Sequence, residues 1–199
     1  MSSFFPNAPP SQAIRYAISN RRAFADLDHR RYLRRLFAVS SHAVQLREKD
    51  LDQEALARLL EVAAEEARRR GRVLLVNSPG HLQLPAGAGV HLTSGQTARR
   101  WEKGGRPAIV GKSVHSLEAA LEAEAEGVDY LLLSPIFAPL SKSASGPLLG
   151  LEGLRRTAGR VKIPVLALGG AGPWKEKEIL QAGGAGFAGI TWAHREMLD

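Results

Sequence analysis

The chain has 199 residues, 44% of them hydrophobic and 24% charged, and carries a net charge of +7. That length suits one domain with a real core. There is no cysteine, which excludes disulfides, thiolate metal sites and cysteine nucleophiles.

The N-terminal stretch MSSFFPNAPPSQ has neither the basic start nor the apolar run of a secretory signal. An irregular arm is expected over 1–13, and a cytoplasmic location by default. Period and punctuation then predict an alternation of strands and helices. Ile14–Ser19 reads as a strand, Asp28–Val39 as a basic amphipathic helix and Ala43–Arg47 as a strand. Gln53–Arg70 is a long helix, opened by Asp52 as N-cap and closed by Gly71. Val73–Asn77 and Val90–Leu92 are strands, and Ser94–Lys103 is expected to be helical. Ala108–Lys112 is a strand, Leu117–Glu126 a helix capped by Ser116, and Tyr130–Leu133 a strand. After the loop PIFAPLSKSASGPLLG come a helix at Leu151–Gly159, a strand at Val165–Leu168, a helix at Lys175–Ala182 and a last strand at Phe187–Thr191.

Strands such as VLLV, YLLL and PVLAL are continuous apolar runs, as in parallel sheets covered on both faces. Eight such units in one domain favour a compact (β/α)8 TIM barrel spanning the whole chain. The eighth helix has room for two turns at most. A second copy of the chain, in a homodimer, would suit the face it leaves. No apolar run is long enough for a membrane span. The basic residues are dispersed through RRAF, HRRYLRRL, ARRR and LRRT. They do not alternate with the three Trp, three Tyr and six Phe as a base-stacking platform would, so no nucleic-acid partner is expected.

In such barrels the chemistry sits at the carboxyl ends of the strands. Alternation along AVQLREK then sends Gln45, Arg47 and Lys49 to one side, with Gln45 and Arg47 in the mouth and Lys49 just past the strand end. Three polar groups in one stripe read as a site for an anion or a polar ring; the alternative is a buried ion pair of Arg47. Gly169-Gly170-Ala171-Gly172 follows the seventh strand and Thr191 ends the eighth. The loops there form phosphate cradles in many barrels, because glycines let backbone N–H groups approach an anion.

The blocks VQLREKDLD, GVHL, GKSVHSLEAALEAEAEGVDYLLLSPIF, LGLEGL, IPVLALGG and AGGAGFAGIT, in this order, resemble the signature blocks of the thiamine phosphate synthase family, which includes the TenI-type thiazole tautomerases. The resemblance spans residues 14–193. It implies a (β/α)8 barrel that holds a thiazole phosphate at the strand seven–eight end. Synthases join a pyrimidine methyl pyrophosphate to the thiazole with Mg²⁺; TenI-type members isomerise a thiazole phosphate carboxylate without metal. By motif, the resemblance places Gln45, Arg47, Lys49, Asn77, Ser113 and Ser141 at the substrate. It places His91, His115 and Lys142 among the candidate catalytic groups, and Gly169, Gly170 and Thr191 at the phosphate. His115 is the first candidate base and His91 the second, each with a structural hydrogen bond as its bland alternative.

The departures point away from either standard activity. Ser78 and Gln96 stand where synthases carry Asp ligands for Mg²⁺, and Pro139 replaces a loop Thr. Pro135 occupies the TenI histidine position. The sequence reading is therefore a TenI-like binder of a small phosphorylated heterocycle, acting as a thiazole tautomerase with no cofactor. The alternatives are a divergent thiamine phosphate synthase, which would need Mg²⁺, and a non-catalytic regulatory binder.

Overall fold

Every strand of this chain has two buried faces, and the two faces belong to different cores. The computed structural model describes residues 12–24, 26–40, 42–80, 82–101, 105–138 and 147–198. Eight parallel strands close on themselves in chain order: β1 (Ile14–Ile18), β2 (Ala43–Leu46), β3 (Val73–Asn77), β4 (Gly89–Leu92), β5 (Val110–Val114), β6 (Tyr130–Leu133), β7 (Val165–Leu168) and β8 (Gly186–Gly189). Parallel neighbours are joined through α1 (His29–Val39), α2 (Gln53–Arg70), α3 (Leu117–Ala125), α4 (Gly150–Ala158) and α5 (Glu176–Gln181), and the short α6 (Thr191–Glu196) follows β8. The expected (β/α)8 barrel is observed.

One set of strand side chains, including Val44, Leu46, Leu74, Val76, Val90, Leu131, Leu133 and Phe187, packs outward on helix residues such as Leu33, Leu36, Phe37, Leu59 and Leu60. The alternate set, Ile14, Tyr16, Ile18, Ala43, Leu75, Tyr130, Leu132, Leu166 and Ala188, fills the barrel interior. Strand alternation produces both cores at once, which is why the strands read as continuous apolar runs. The helix caps follow the sequence. Asp28 accepts from Arg31 N, Asp52 from Ala55 N and Ser116 from Ala119 N, and Gly71 closes α2 in the left-handed conformation.

Most boundaries agree within a residue, and three elements differ by two or more. Between β4 and β5 the structure has only a 3-10 turn at Ala98–Trp101 rather than a helix over Ser94–Lys103, within the described residues. Apart from Ala98 and Trp101 the segment has no apolar stripe to bury, and Gln96 folds back on Thr93 instead of propagating a helix. The fifth strand runs two residues later than read, because ladder pairing with β4 begins at Val110. Thr191 is not strand: β8 ends at Gly189, and Thr191 is the first residue of α6.

The basic clusters are largely paired on helix surfaces. Arg30 meets Glu65, Arg155 meets Glu152, and Arg34, Arg69 and Arg70 converge on Glu66. No described helix is long and apolar enough to cross a membrane.

Candidate active site

A cavity of about 430 Å³ opens at the carboxyl ends of the strands. Its walls have two kinds of construction. One side is made of side chains from β2 to β5: Gln45, Arg47, Asn77, His91 and Ser113, with His115 just beyond. The other is made mostly of backbone: Gly169, Gly170 and Ala171 after β7, and Gly189 at the end of β8 with Ile190 and Thr191 after it.

The glycine side is shaped by conformation. Gly169 and Gly170 have φ of 89° and 60°, the left-handed region that disfavours a side chain. A Cβ on Gly170 would also collide with the carbonyl oxygen of Ala138. The loop after β6 lies against this turn, with Phe137 N donating to Gly169 O at 3.0 Å and Ile136 N to Leu168 O at 2.9 Å. A rim of close backbone beside the Thr191 hydroxyl suits a small oxyanion.

The side-chain wall is a connected network. Gln45 is 2% exposed and His91 is 2% exposed. Gln45 Nε2 donates to Asn77 Oδ1 at 2.8 Å, and Gln45 Oε1 accepts from Tyr16 Oη at 2.9 Å. Tyr16 Oη lies 3.0 Å from Tyr130 Oη, which lies 3.0 Å from His91 Nδ1. His91 Nε2 lies 2.9 Å from Ser113 Oγ. Burial, with a smaller contribution from the nearby Arg47 charge, lowers the His91 pKa to about 3, so the ring is neutral. Burial raises both tyrosines above the usual phenol range, so both keep their protons. With both ring nitrogens engaged, His91 is part of the wall and is not placed to act as a base.

His115 is placed differently. It is exposed at the mouth, and its Nδ1 lies 2.8 Å from Ser134 O and 3.2 Å from Ser134 Oγ. A carbonyl oxygen only accepts, so Nδ1 carries a proton, and the lone pair of an uncharged ring here would lie on Nε2. That is the tautomer a general base needs.

Several sequence-selected residues fall elsewhere. Lys49 is exposed in the turn after β2 and lies outside the cavity wall, because the strand alternation ends at Leu46. Ser141, Lys142 and Pro139 lie outside the described residues. His42 and His194 are 5% and 9% exposed and lie away from the cavity; His194 packs on Phe24 and hydrogen-bonds Tyr32 at 3.2 Å. Trp192 belongs to the core, edge-on to Phe187. Sequence reasoning missed Tyr16, Tyr130 and Ser134. The inward register shared by Tyr16, Ile14 and Ile18 was the available signal for the first.

The positions where synthases carry metal acids hold a neutral pair. Ser78 Oγ donates to Gln96 Oε1 at 2.7 Å, and the same oxygen accepts from Thr93 N at 2.9 Å. Hard Mg²⁺ prefers carboxylate oxygens, so this donor set does not fit it. Among the described residues no group of three or more His, Cys, Asp or Glu is arranged to hold a metal.

A family profile described as thiamine monophosphate synthase matches residues 15–192. The chain belongs to this family. Among its curated relatives, the thiamine-phosphate synthase of Methanocella arvoryzae is 34% identical over 88% of this chain and 84% of its own length. A putative thiamine-phosphate synthase 2 of Aquifex aeolicus is 36% identical over 88% of this chain and 95% of its own. In three dimensions, the thiamine phosphate pyrophosphorylase of Pyrococcus furiosus superposes with a TM-score of 0.77 at 28% identity, covering 92% of this chain and 90% of that one. These relatives carry the synthase name, which favours the alternative of the sequence reading over its tautomerase reading.

Proposed function

We propose that this member of the thiamine monophosphate synthase family is a synthase-type transferase. In this reading it takes a pyrimidine methyl pyrophosphate against the β2–β5 wall and a thiazole phosphate against the β7–β8 rim. The observation that carries the reading is the convergence of Gln45, Arg47, Asn77, His91 and Ser113, from four strands, on one cavity opposite Gly169, Gly170 and Thr191. Of these, the family resemblance places Gln45, Arg47, Asn77 and Ser113 at the substrate, with the Gln45 and Arg47 motif on the pyrimidine and pyrophosphate side. The names of the relatives support the same reading.

Each group has a defined task. The Arg47 guanidinium binds the pyrophosphate, for which its planar fork is suited. The neutral network holds the ring. The glycine rim and the Thr191 hydroxyl hold the thiazole phosphate, so that the thiazole ring nitrogen meets the pyrimidine methylene carbon between the two walls, and the C–N bond forms as the bond from that carbon to the departing pyrophosphate breaks. The Ser78–Gln96 pair does not fit Mg²⁺, and no step here is routed through a metal.

The His115 tautomer favours a second reading. A mouth-facing imidazole with a bare Nε2 can carry a proton between two positions of a thiazole phosphate carboxylate, the isomerisation of TenI-type proteins.

One assay separates the two. Purified protein receives both substrates, with Mg²⁺ and with a chelator, and thiamine phosphate is measured. A parallel arm supplies only the thiazole phosphate carboxylate and follows its isomerisation. Formation of thiamine phosphate is expected. Isomerisation without thiamine phosphate overturns the first reading in favour of the second, and His115→Ala then abolishes it.

A further inference from the structure

With the Gln45 amide oriented so that Oε1 faces Tyr16 and Nε2 faces Asn77, counting protons gives the hydrogen bonds inside the barrel one direction. Tyr16 Oη donates to Gln45 Oε1, and a phenol has one proton. Between Tyr16 and Tyr130, therefore, Tyr130 donates. Its proton is then committed, so in the contact with His91 Nδ1 the imidazole must donate. The neutral ring has one N–H, which leaves Nε2 bare to accept from Ser113 Oγ. At the far end Gln45 Nε2 donates to Asn77 Oδ1. The sequence is thus Ser113 to His91 to Tyr130 to Tyr16 to Gln45 to Asn77, with both ends on the cavity.

We propose that Tyr16 and Tyr130, beneath the cavity floor, are positioning residues that fix the polarity of the ligand-facing wall. With its proton turned down to His91, Ser113 offers the cavity oxygen lone pairs. With Oδ1 occupied by Gln45, Asn77 offers its amide N–H groups. The wall then selects a heteroaromatic edge that donates an N–H toward Ser113 and presents a ring-nitrogen acceptor toward Asn77. The ligand part of this rests on the pyrimidine-side reading above; the polarity of the chain does not.

The fold makes room for this arrangement. Gly111 is in register with Tyr130, and a Cβ there would collide with the phenol ring. His91 stacks on Tyr130 with centroids 5.7 Å apart, and Tyr16 meets Tyr130 edge-on at 5.9 Å. An apolar interior with an unbroken polar thread penalises any break in it, because a buried group without a partner costs more than the bond contributes.

The test uses the full chain with ¹⁵N-labelled histidine. His91 is expected as the Nδ1–H tautomer, the less common form for a free imidazole. Tyr130→Phe removes the acceptor, so the proton moves to Nε2, which donates to Ser113 and turns the serine hydroxyl toward the cavity. In that variant the KM for the pyrimidine pyrophosphate is expected to rise roughly 10-fold, as for one hydrogen bond of about 1.4 kcal/mol, with kcat little changed. Adding Ser113→Ala to Tyr130→Phe is expected to cost less than the two single losses combined, because both act on one contact. An Nε2–H His91 in the unmodified protein overturns the proposal, and so does a Tyr130→Phe protein that keeps the Nδ1–H form. If Tyr130→Phe does not fold, the tautomer in the unmodified chain still decides. The expected tautomer together with no binding of a pyrimidine pyrophosphate would refute the functional reading and leave the chain's polarity standing.

Discussion

The two walls of the cavity place polar groups at the mouth of an apolar barrel by opposite means. The β7–β8 rim works by leaving side chains out: Gly169 and Gly170 bring backbone close, and a left-handed φ of 60° at Gly170 fixes the turn. The β2–β5 wall works by linking side chains end to end across the interior. The first kind of wall tolerates change around it but not at it. The second transmits a change at any member to both ends. The two also differ in electrostatics, since the linked wall keeps a histidine neutral far below its ordinary pKa.

The largest expected difference between them is in acid. Below the ordinary histidine pKa of 6.5 the unfolded chain takes up a proton that folded His91 refuses until about pH 3. Stability therefore falls as the pH drops from 6.5 to 3, by up to about 5 kcal/mol from this group. Denaturant melts across that range should show the slope, and His91→Asn should reduce it to the part left by His194, whose pKa burial lowers to about 4. Next comes Gly111→Ala, which drives a methyl into the Tyr130 ring. It is expected to cost about 3 kcal/mol, or to prevent folding, in thermal or denaturant melts. An unchanged melting midpoint would mean that the linked wall is looser than its geometry implies.

On the rim, Gly170→Val places a β-branched residue at positive φ against the Ala138 carbonyl. Affinity for the thiazole phosphate is expected to fall about 100-fold, the equivalent of two charge-assisted hydrogen bonds, with the pyrimidine ligand unaffected. Calorimetry on each ligand checks both halves of that statement. The smallest expected effect is a gain. Ser78→Asp with Gln96→Asp restores two carboxylates beside the linked wall, and Mg²⁺ at ten times its dissociation constant should then stabilise the variant by about 1.4 kcal/mol and leave the unmodified chain alone.

The same contrast explains what the sequence made legible. The rim was readable, because Gly-Gly-Ala-Gly after an apolar strand is local punctuation. So were Gln45 and Arg47, whose alternation is local, and the barrel itself, whose eight apolar runs each bury two faces. The linked wall was legible only in pieces. Tyr16 and Tyr130 are 114 positions apart and read as ordinary apolar strand residues; that they touch depends on barrel closure. Lys49 lies just past the strand end, as expected, but beyond Leu46 alternation no longer fixes the side on which it falls. The helix expected at Ser94–Lys103 is reduced, within the described residues, to a 3-10 turn at Ala98–Trp101, because the segment has no apolar stripe to bury. His91 looked like a base by residue type, and only its two partners show that both nitrogens are committed.

The central claim is that one cavity holds two ligands at two independent walls. Titration calorimetry with the pyrimidine pyrophosphate and the thiazole phosphate, alone and together, tests it on the unmodified chain, Arg47→Ala and Gly170→Val. Simultaneous binding is expected, with Arg47→Ala weakening only the pyrophosphate ligand and Gly170→Val only the thiazole phosphate. Competition between the two ligands for a single position, or binding of neither, would contradict it.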